Sequence, residues 1–179
     1  VRVDVVVGDR AVLVGPRDAV DAEPAAIALR VEAEILPEPG RLGEHLGATL
    51  LEELGVAFRF NVIPIIRKDS LHINASDRDL LRATIEAQAA RHVLVTHGTD
   101  TMVETAAVLA GIPDKTIVLT GALNPARFRG SDAEFNIGTA VGAVQSLAPG
   151  VYIAMNGRIW DPLMVRKNVA ANRFEAAQP

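Results

Sequence analysis

The sequence predicts an α/β domain of three αβα layers around a mostly parallel, Rossmann-like sheet, and three observations carry that expectation. Short apolar runs rich in β-branched residues alternate with stretches of helical spacing, the pattern of successive βαβ units. Aromatic residues make up only 4%, so the core has to be built from Val, Leu, Ile and Ala, as in layered sheet-and-helix proteins. At 179 residues the chain is long enough for one domain with a sizeable core and short for two, so residues 1–179 are expected to form a single domain, with residues 1–41 as a divergent segment within it.

The elements follow in order. Val3, Val5 and Val7 alternate, and residues 12–14 resume after a Gly8-Asp9 turn, which reads as a hairpin. Residues 24–35, rich in Ala, Glu and Arg with Pro24 in a first turn, read as a helix. Leu46, Leu50 and Leu54 share one face of a second helix over residues 42–54, which Gly55 can end. The run FRFNVIPII, from Phe58, has strong β formers and leads into a polar turn that carries Ser70. Ser76 opens a helix with Asp79 at the third following position and a stripe of Leu80, Leu81, Ile85 and Ala89.

Val93, Leu94 and Val95 suit a buried parallel strand, and Met102, Ala106 and Leu109 mark the helix after it, with Thr101 and Glu104 at the spacing of a capping box. Residues 115–120 read as a further strand. Ser131 and Glu134 repeat the capping-box spacing before a helix with Phe135, Ala140, Val144 and Leu147 on it. Residues 151–155 form the last regular strand, ending at the turn dipeptide Asn156-Gly157. Beyond it neither period is sustained, so one short strand and an irregular tail are expected, with Arg166, Lys167 and Arg173 as a solvated surface run.

Composition excludes several function classes. A net charge of −4 provides no basic footprint for nucleic acid or an anionic membrane, and the scarcity of aromatics removes base-stacking platforms. With no cysteine, disulfides, thiolate catalysis and thiolate metal sites are all out of reach. No apolar run approaches the roughly 20 residues of a membrane span, so a soluble, cytoplasmic protein is expected. The four histidines have no ligand spacing with carboxylates, and no Gly-x-Gly-x-x-Gly or Walker-type loop occurs. Neither a metal nor a cofactor is expected, and a nucleotide-binding domain is the weakest reading.

In a parallel sheet, three strand ends bring polar groups to one edge: Ser70, Thr99 with Asp100, and Thr120 with the turn after it. A cap explains Thr101 and Glu104, but has no use for Thr99 and Asp100 as well. Without cysteine or a Gly-x-Ser-x-Gly elbow, the available nucleophile is a hydroxyl, which needs a neighbouring base. Lys115, desolvated near Thr99, is the candidate base, although these strand boundaries place it at the opening of its own strand. Asp100 can hold an ammonium group, and Ser70 with backbone amides a carboxylate. A ligand that carries both groups is an amino acid.

The runs KDSLHI, HGTDTMVETA, DKTIVLTGA, SDAEFNIG and GVYIAMNG, in this order, resemble the asparaginase/glutaminase family of amidohydrolases, closest to its short, single-domain members. The resemblance covers residues 60–175. It implies a Thr-Lys-Asp triad, here Thr99, Lys115 and Asp100, with Ser70 on the substrate carboxylate and Asp100 also on the substrate ammonium. It further implies hydrolysis of the side-chain amide of L-asparagine or L-glutamine, and a homo-oligomer. The chain departs from the family pattern in lacking Thr-Gly-Gly-Thr after a first strand and the tyrosine of the loop that follows; its first threonine is Thr49 and its only tyrosine Tyr152. The alternative expectation is therefore a relative that keeps the amino-acid pocket without turnover.

Overall fold

The structure, a computed structural model, describes residues 2–6, 25–32, 51, 55–58, 60–124 and 130–177. Strands β1 (Arg2–Val6), β2 (Ala25–Glu32), β4 (His92–His97), β5 (Thr116–Thr120) and β6 (Gly150–Met155) run parallel and lie side by side in that order. At one edge β7 (Arg158–Trp160) pairs antiparallel with β6, and β3 (Phe60–Arg67) meets β2 at its end, Glu32 opposite Arg67. The helices are α1 (Ala75–Ala87), α2 (Met102–Leu109) and α3 (Ala133–Ser146).

Strand alternation produces the layers. Val93 and Val95 of β4 pack with Leu81 and Ile85 of α1 and with Met102, Ala106 and Leu109 of α2, whereas Leu94 between them packs with Ile137, Ala140 and Val144 of α3. Successive strand residues face opposite sides, so one buried strand supplies two cores, and both faces must be covered by helices. The α/β class with a mostly parallel sheet is thus present as the sequence predicts.

Several local expectations are corrected. Residues 25–32, expected to be helical, form a strand in register with β4, Ile27 opposite Val93. The period-two series Ile27, Leu29, Val31 outweighs the helix-forming composition once neighbouring strands provide ladder partners on both sides. The first strand pairs with β2; residues 12–14 of the expected hairpin lie outside the described residues, as do residues 42–50 and 52–54 of the expected second helix.

Helix α1 starts two residues earlier than Ser76 indicates, because Asn74 and Asp77 form the capping box: Asp77 N–H donates to Asn74 Oδ1 at 3.1 Å and Asn74 N–H to Asp77 Oδ2 at 3.0 Å. In α3 Asp132 is the N-cap, and Ser131 Oγ accepts from Ala133 N–H at 3.1 Å without a reciprocal bond from Glu134. The tail is also more regular than expected. After a 3-10 turn at Pro162–Met164, strands β8 (Val165–Asn168) and β9 (Arg173–Ala176) form an antiparallel hairpin. Asn168 Oδ1 accepts from Ala171 N–H at 2.9 Å, and Asn172 takes a positive φ of 45°, so two asparagines turn the chain where no Asn-Gly dipeptide signals it.

Among the described residues no helix is long and apolar enough to cross a membrane.

Candidate active site

Beyond the carboxyl end of β4, Gly98, Thr99 and Asp100 turn the chain into α2, and the 3-10 turn Ser70–His72 lies against them. Thr101 fastens the two segments together. It is the N-cap of α2 but makes no side-chain cap bond; its Oγ1 donates to the Ser70 carbonyl oxygen at 2.7 Å. The predicted capping box with Glu104 is therefore absent, because a carbonyl 31 residues away captures the hydroxyl that would have served the helix. Ser70 is fully buried and its Oγ lies 3.4 Å from Asp100 Oδ2. Thr99 is buried, while Asp100 has 38% of its side chain exposed, so its carboxylate reaches solvent and any arriving ligand.

The cation that completes this cluster is Lys167. Its Nζ donates to Thr99 Oγ1 at 2.8 Å and to Asp100 Oδ1 at 2.6 Å, with only 14% of its side chain exposed. The hairpin explains why this lysine points inward. Lys167 stands opposite Phe174, and cross-strand partners share a face; Phe174 and Val165, two residues before Lys167, are both buried in the core. Arg166 and Glu175 take the outer face, 2.6 Å apart.

Lys115 is not brought to Thr99. It precedes Thr116, the register partner of His92 at the opening of β4, so the length of a six-residue strand, roughly 17 Å, separates it from the Thr99 end. Its buried ammonium donates to the carbonyl oxygens of Gln88 at 2.6 Å and Ala90 at 2.7 Å, closing the carboxyl end of α1. Burial lowers its pKa, with a smaller push from Arg91. Replacing Lys115 by methionine is expected to cost about 1–3 kcal/mol through two orphaned carbonyls, seen in urea denaturation. Thr120 is likewise turned away, fully buried with its Oγ1 donating to the Ala154 carbonyl oxygen at 2.9 Å.

Two networks hold the cluster from beneath, and neither was visible in the spacing of the sequence. In the first, His97 Nδ1 lies 2.6 Å from the Gly98 carbonyl oxygen, which can only accept, so the proton sits on Nδ1. Nε2 then accepts from Thr105 Oγ1 at 2.9 Å, and that oxygen accepts from Arg78 Nε at 3.1 Å. Burial pushes His97 down to about 4, aided by the charge of Arg78 and opposed by the Gly98 carbonyl.

The second network surrounds the loop after β5. Asp132 accepts from the N–H groups of Leu123 at 3.1 Å and Asn124 at 2.9 Å, and the fully buried Asn136 donates to the Gly121 carbonyl oxygen at 2.9 Å and to Asp132 at 2.7 Å. The SDAEFN run that carries part of the family likeness contains both residues, a signal that could have singled them out. Gly121 itself tolerates no side chain, since a Cβ there would clash with the His97 carbonyl oxygen and press on Met102 Cε at 3.1 Å. Gly121→Ala is expected to lose about 1–3 kcal/mol of stability in urea denaturation, as overpacking at a rigid backbone does.

Comparison with known proteins identifies the family. The family described as "Asparaginase, N-terminal" matches residues 27–178. The chain belongs to the asparaginase family. Among its relatives, a glutamyl-tRNA(Gln) amidotransferase subunit of Methanococcus vannielii is 41% identical over 76 residues, which cover 41% of this chain and 18% of that protein. The glutaminase-asparaginase of Acinetobacter glutaminasificans is 38% identical over 82 residues, covering 43% of this chain and 25% of its own length. The aligned part thus spans a quarter or less of these two relatives. The family resemblance read from the five motifs holds. Within this asparaginase-family chain, Ser70, Thr99 and Asp100 come together as the sequence predicts, Lys115 stays apart, and Lys167 occupies the place expected of it.

Proposed function

We propose that this asparaginase-family chain is an amidohydrolase that cleaves the side-chain amide of L-asparagine or L-glutamine to the acid and ammonia. One observation carries the reading: a single partly buried ammonium touches both a hydroxyl and a carboxylate, Lys167 on Thr99 and Asp100, at the strand edge where α/β sheets bind ligands. Relatives named glutaminase-asparaginase and amidotransferase are in keeping with amide chemistry. A homo-oligomer in the cytoplasm belongs to the same reading.

The chemistry follows from the contacts. The substrate α-ammonium takes Asp100, whose carboxylate is partly open to solvent, and Ser70 lies beside it for the α-carboxylate. Proton transfer from Thr99 requires Lys167 in its amine form. Lys167 Nζ then takes the proton of Thr99 Oγ1, and the oxygen adds to the amide carbon. Collapse of the adduct returns that proton to the leaving nitrogen, releases ammonia and leaves an ester on Thr99. Water adds to the ester carbon, with Lys167 again accepting and returning a proton, and the free acid departs.

A second reading, an amino-acid-binding module without turnover, is favoured by the absence of a Thr-Gly-Gly-Thr run from the sequence. An ammonia-release assay with L-asparagine and L-glutamine beside an L-aspartate titration separates the two. Ammonia release that disappears in Thr99→Val supports the hydrolase; L-aspartate binding with no ammonia from either amide sinks it and favours the module.

A further inference from the structure

The hairpin that delivers Lys167 has one anchor whose place in the network is specific. Asn156, in the turn after β6, bonds two different segments: its backbone N–H donates to Asn136 Oδ1 at 3.1 Å, and its side-chain Oδ1 accepts from Phe174 N–H at 2.9 Å. Phe174 is the register partner of Lys167 across the hairpin. Its N–H is thus turned out of the hairpin, toward the end of the parallel sheet. The same Asn136 that receives Asn156 holds Gly121 and Asp132. Fully buried between the ends of β5 and β6, it is fixed by three partners at once. A continuous path of short contacts therefore runs from the sheet through Asn136, Asn156, Phe174 and Lys167 to Thr99 and Asp100.

We infer that Asn156 is a positioning residue that sets the register of the β8–β9 hairpin on the sheet, and through it the place of the Lys167 ammonium between Thr99 and Asp100. Arg166 and Glu175 cannot do this, because their pair lies within the hairpin and would travel with it. The Ala177 N–H bond to the Met164 carbonyl, 2.9 Å, closes the hairpin onto its own approach and not onto the sheet. Phe174 and Val165 press the hairpin against the core but slide without a directional bond. Asn156 supplies that direction. The part of the inference that concerns catalysis rests on the amidohydrolase reading, and the positional part is tested without it.

Asn156 has a φ of 55°, a conformation that glycine adopts freely, so Asn156→Gly removes the acceptor without straining the turn. Asn156→Asp keeps an acceptor for Phe174. The measurement is hydrogen exchange at the Phe174 amide, together with NMR of the Lys167 ammonium in lysine-labelled chain, its signal assigned with Lys167→Met. In the parent chain both are protected. Asn156→Gly, folded by circular dichroism, is expected to speed exchange at both sites about tenfold, the worth of one hydrogen bond, whereas Asn156→Asp restores the parent behaviour. Ammonia release, assayed in parallel, is expected to fall in Asn156→Gly through kcat, with KM little changed. A Phe174 amide that exchanges freely in the parent chain overturns the inference even if Asn156→Gly does not fold, and so does a Lys167 signal unmoved in Asn156→Gly. If no chain releases ammonia while the NMR result is as expected, the hydrolase reading fails and the positioning of Lys167 stands.

Discussion

If the proposed hydrolysis holds, Lys167→Met is expected to lower ammonia release from L-asparagine at least about a hundredfold, the loss that follows removal of a positioned proton-transfer group, whereas Lys115→Met is expected to retain the parent rate. The contrast is sharp because both lysines make two short bonds, Lys115 from a buried position and Lys167 from a partly buried one, yet their partners differ in kind. Lys167 touches a hydroxyl that can react and a carboxylate that can bind a substrate. Lys115 touches two backbone carbonyls, which can do neither. Methionine keeps the apolar stem of either side chain, so folding is disturbed little at position 167. L-aspartate titration distinguishes the mechanisms of loss: a Lys167→Met chain that still binds has lost proton transfer, while equal activity losses in both lysine variants would remove the assignment of Lys167.

Acid is expected to destabilise the fold in a defined window. His97 has an ordinary value of 6.5 in the unfolded chain and is pushed down to about 4 in the folded one. Between those limits the unfolded state binds the extra proton, so stability rises with pH. The contribution of neutral His97 is complete above 6.5, is lost progressively as pH falls toward 4, and changes no further below that. Full traversal is worth about 3 kcal/mol, or roughly 10 °C in Tm for a chain of this size. His92, at the opposite end of β4, is lowered as well, mainly by burial and then by nearby positive charge, and adds in the same direction below 6.5. Protonated His97 would present a donor at Nε2 to Thr105 Oγ1, which already receives Arg78 and would have to turn its own proton elsewhere. Thermal denaturation from pH 7 to pH 4 checks this. In His97→Asn the slope in that window should shrink, with lower stability at pH 7 because Thr105 loses its acceptor; a pH-independent Tm in the parent would refute the linkage.

What the sequence made legible is what local pattern encodes. Val93, Leu94 and Val95 announce a buried strand because both of its faces are apolar, and the hydroxyls and carboxylate clustered after it exceed what a helix cap consumes. Ser70, Thr99 and Asp100 were recoverable because each sits at the carboxyl end of a strand, and such ends share one edge in a parallel sheet. Lys167 was hidden by the opposite circumstance. Its strand is four residues long, places two basic residues side by side after Val165, and owes its inward face to pairing with Phe174 and not to any period of its own. Thr101 misled because its cap spacing is genuine, yet the Ser70 carbonyl competes for the same proton. Residues 25–32 misled because alanine suits a helix alone and a strand when neighbours are supplied on both sides.

The bond from Lys167 to Thr99 joins positions 68 residues apart. During synthesis at about 5–20 residues per second, the turn bearing Thr99 and Asp100 is made several seconds before the lysine that answers it. Closing so long a loop is entropically costly until β5, β6 and α3 have already drawn its ends together. The order of assembly is therefore built into the chain: the sheet and α3 come before the Thr99–Asp100–Lys167 cluster. A nascent chain carries Thr99 and Asp100 before it has made the ammonium that bonds them both.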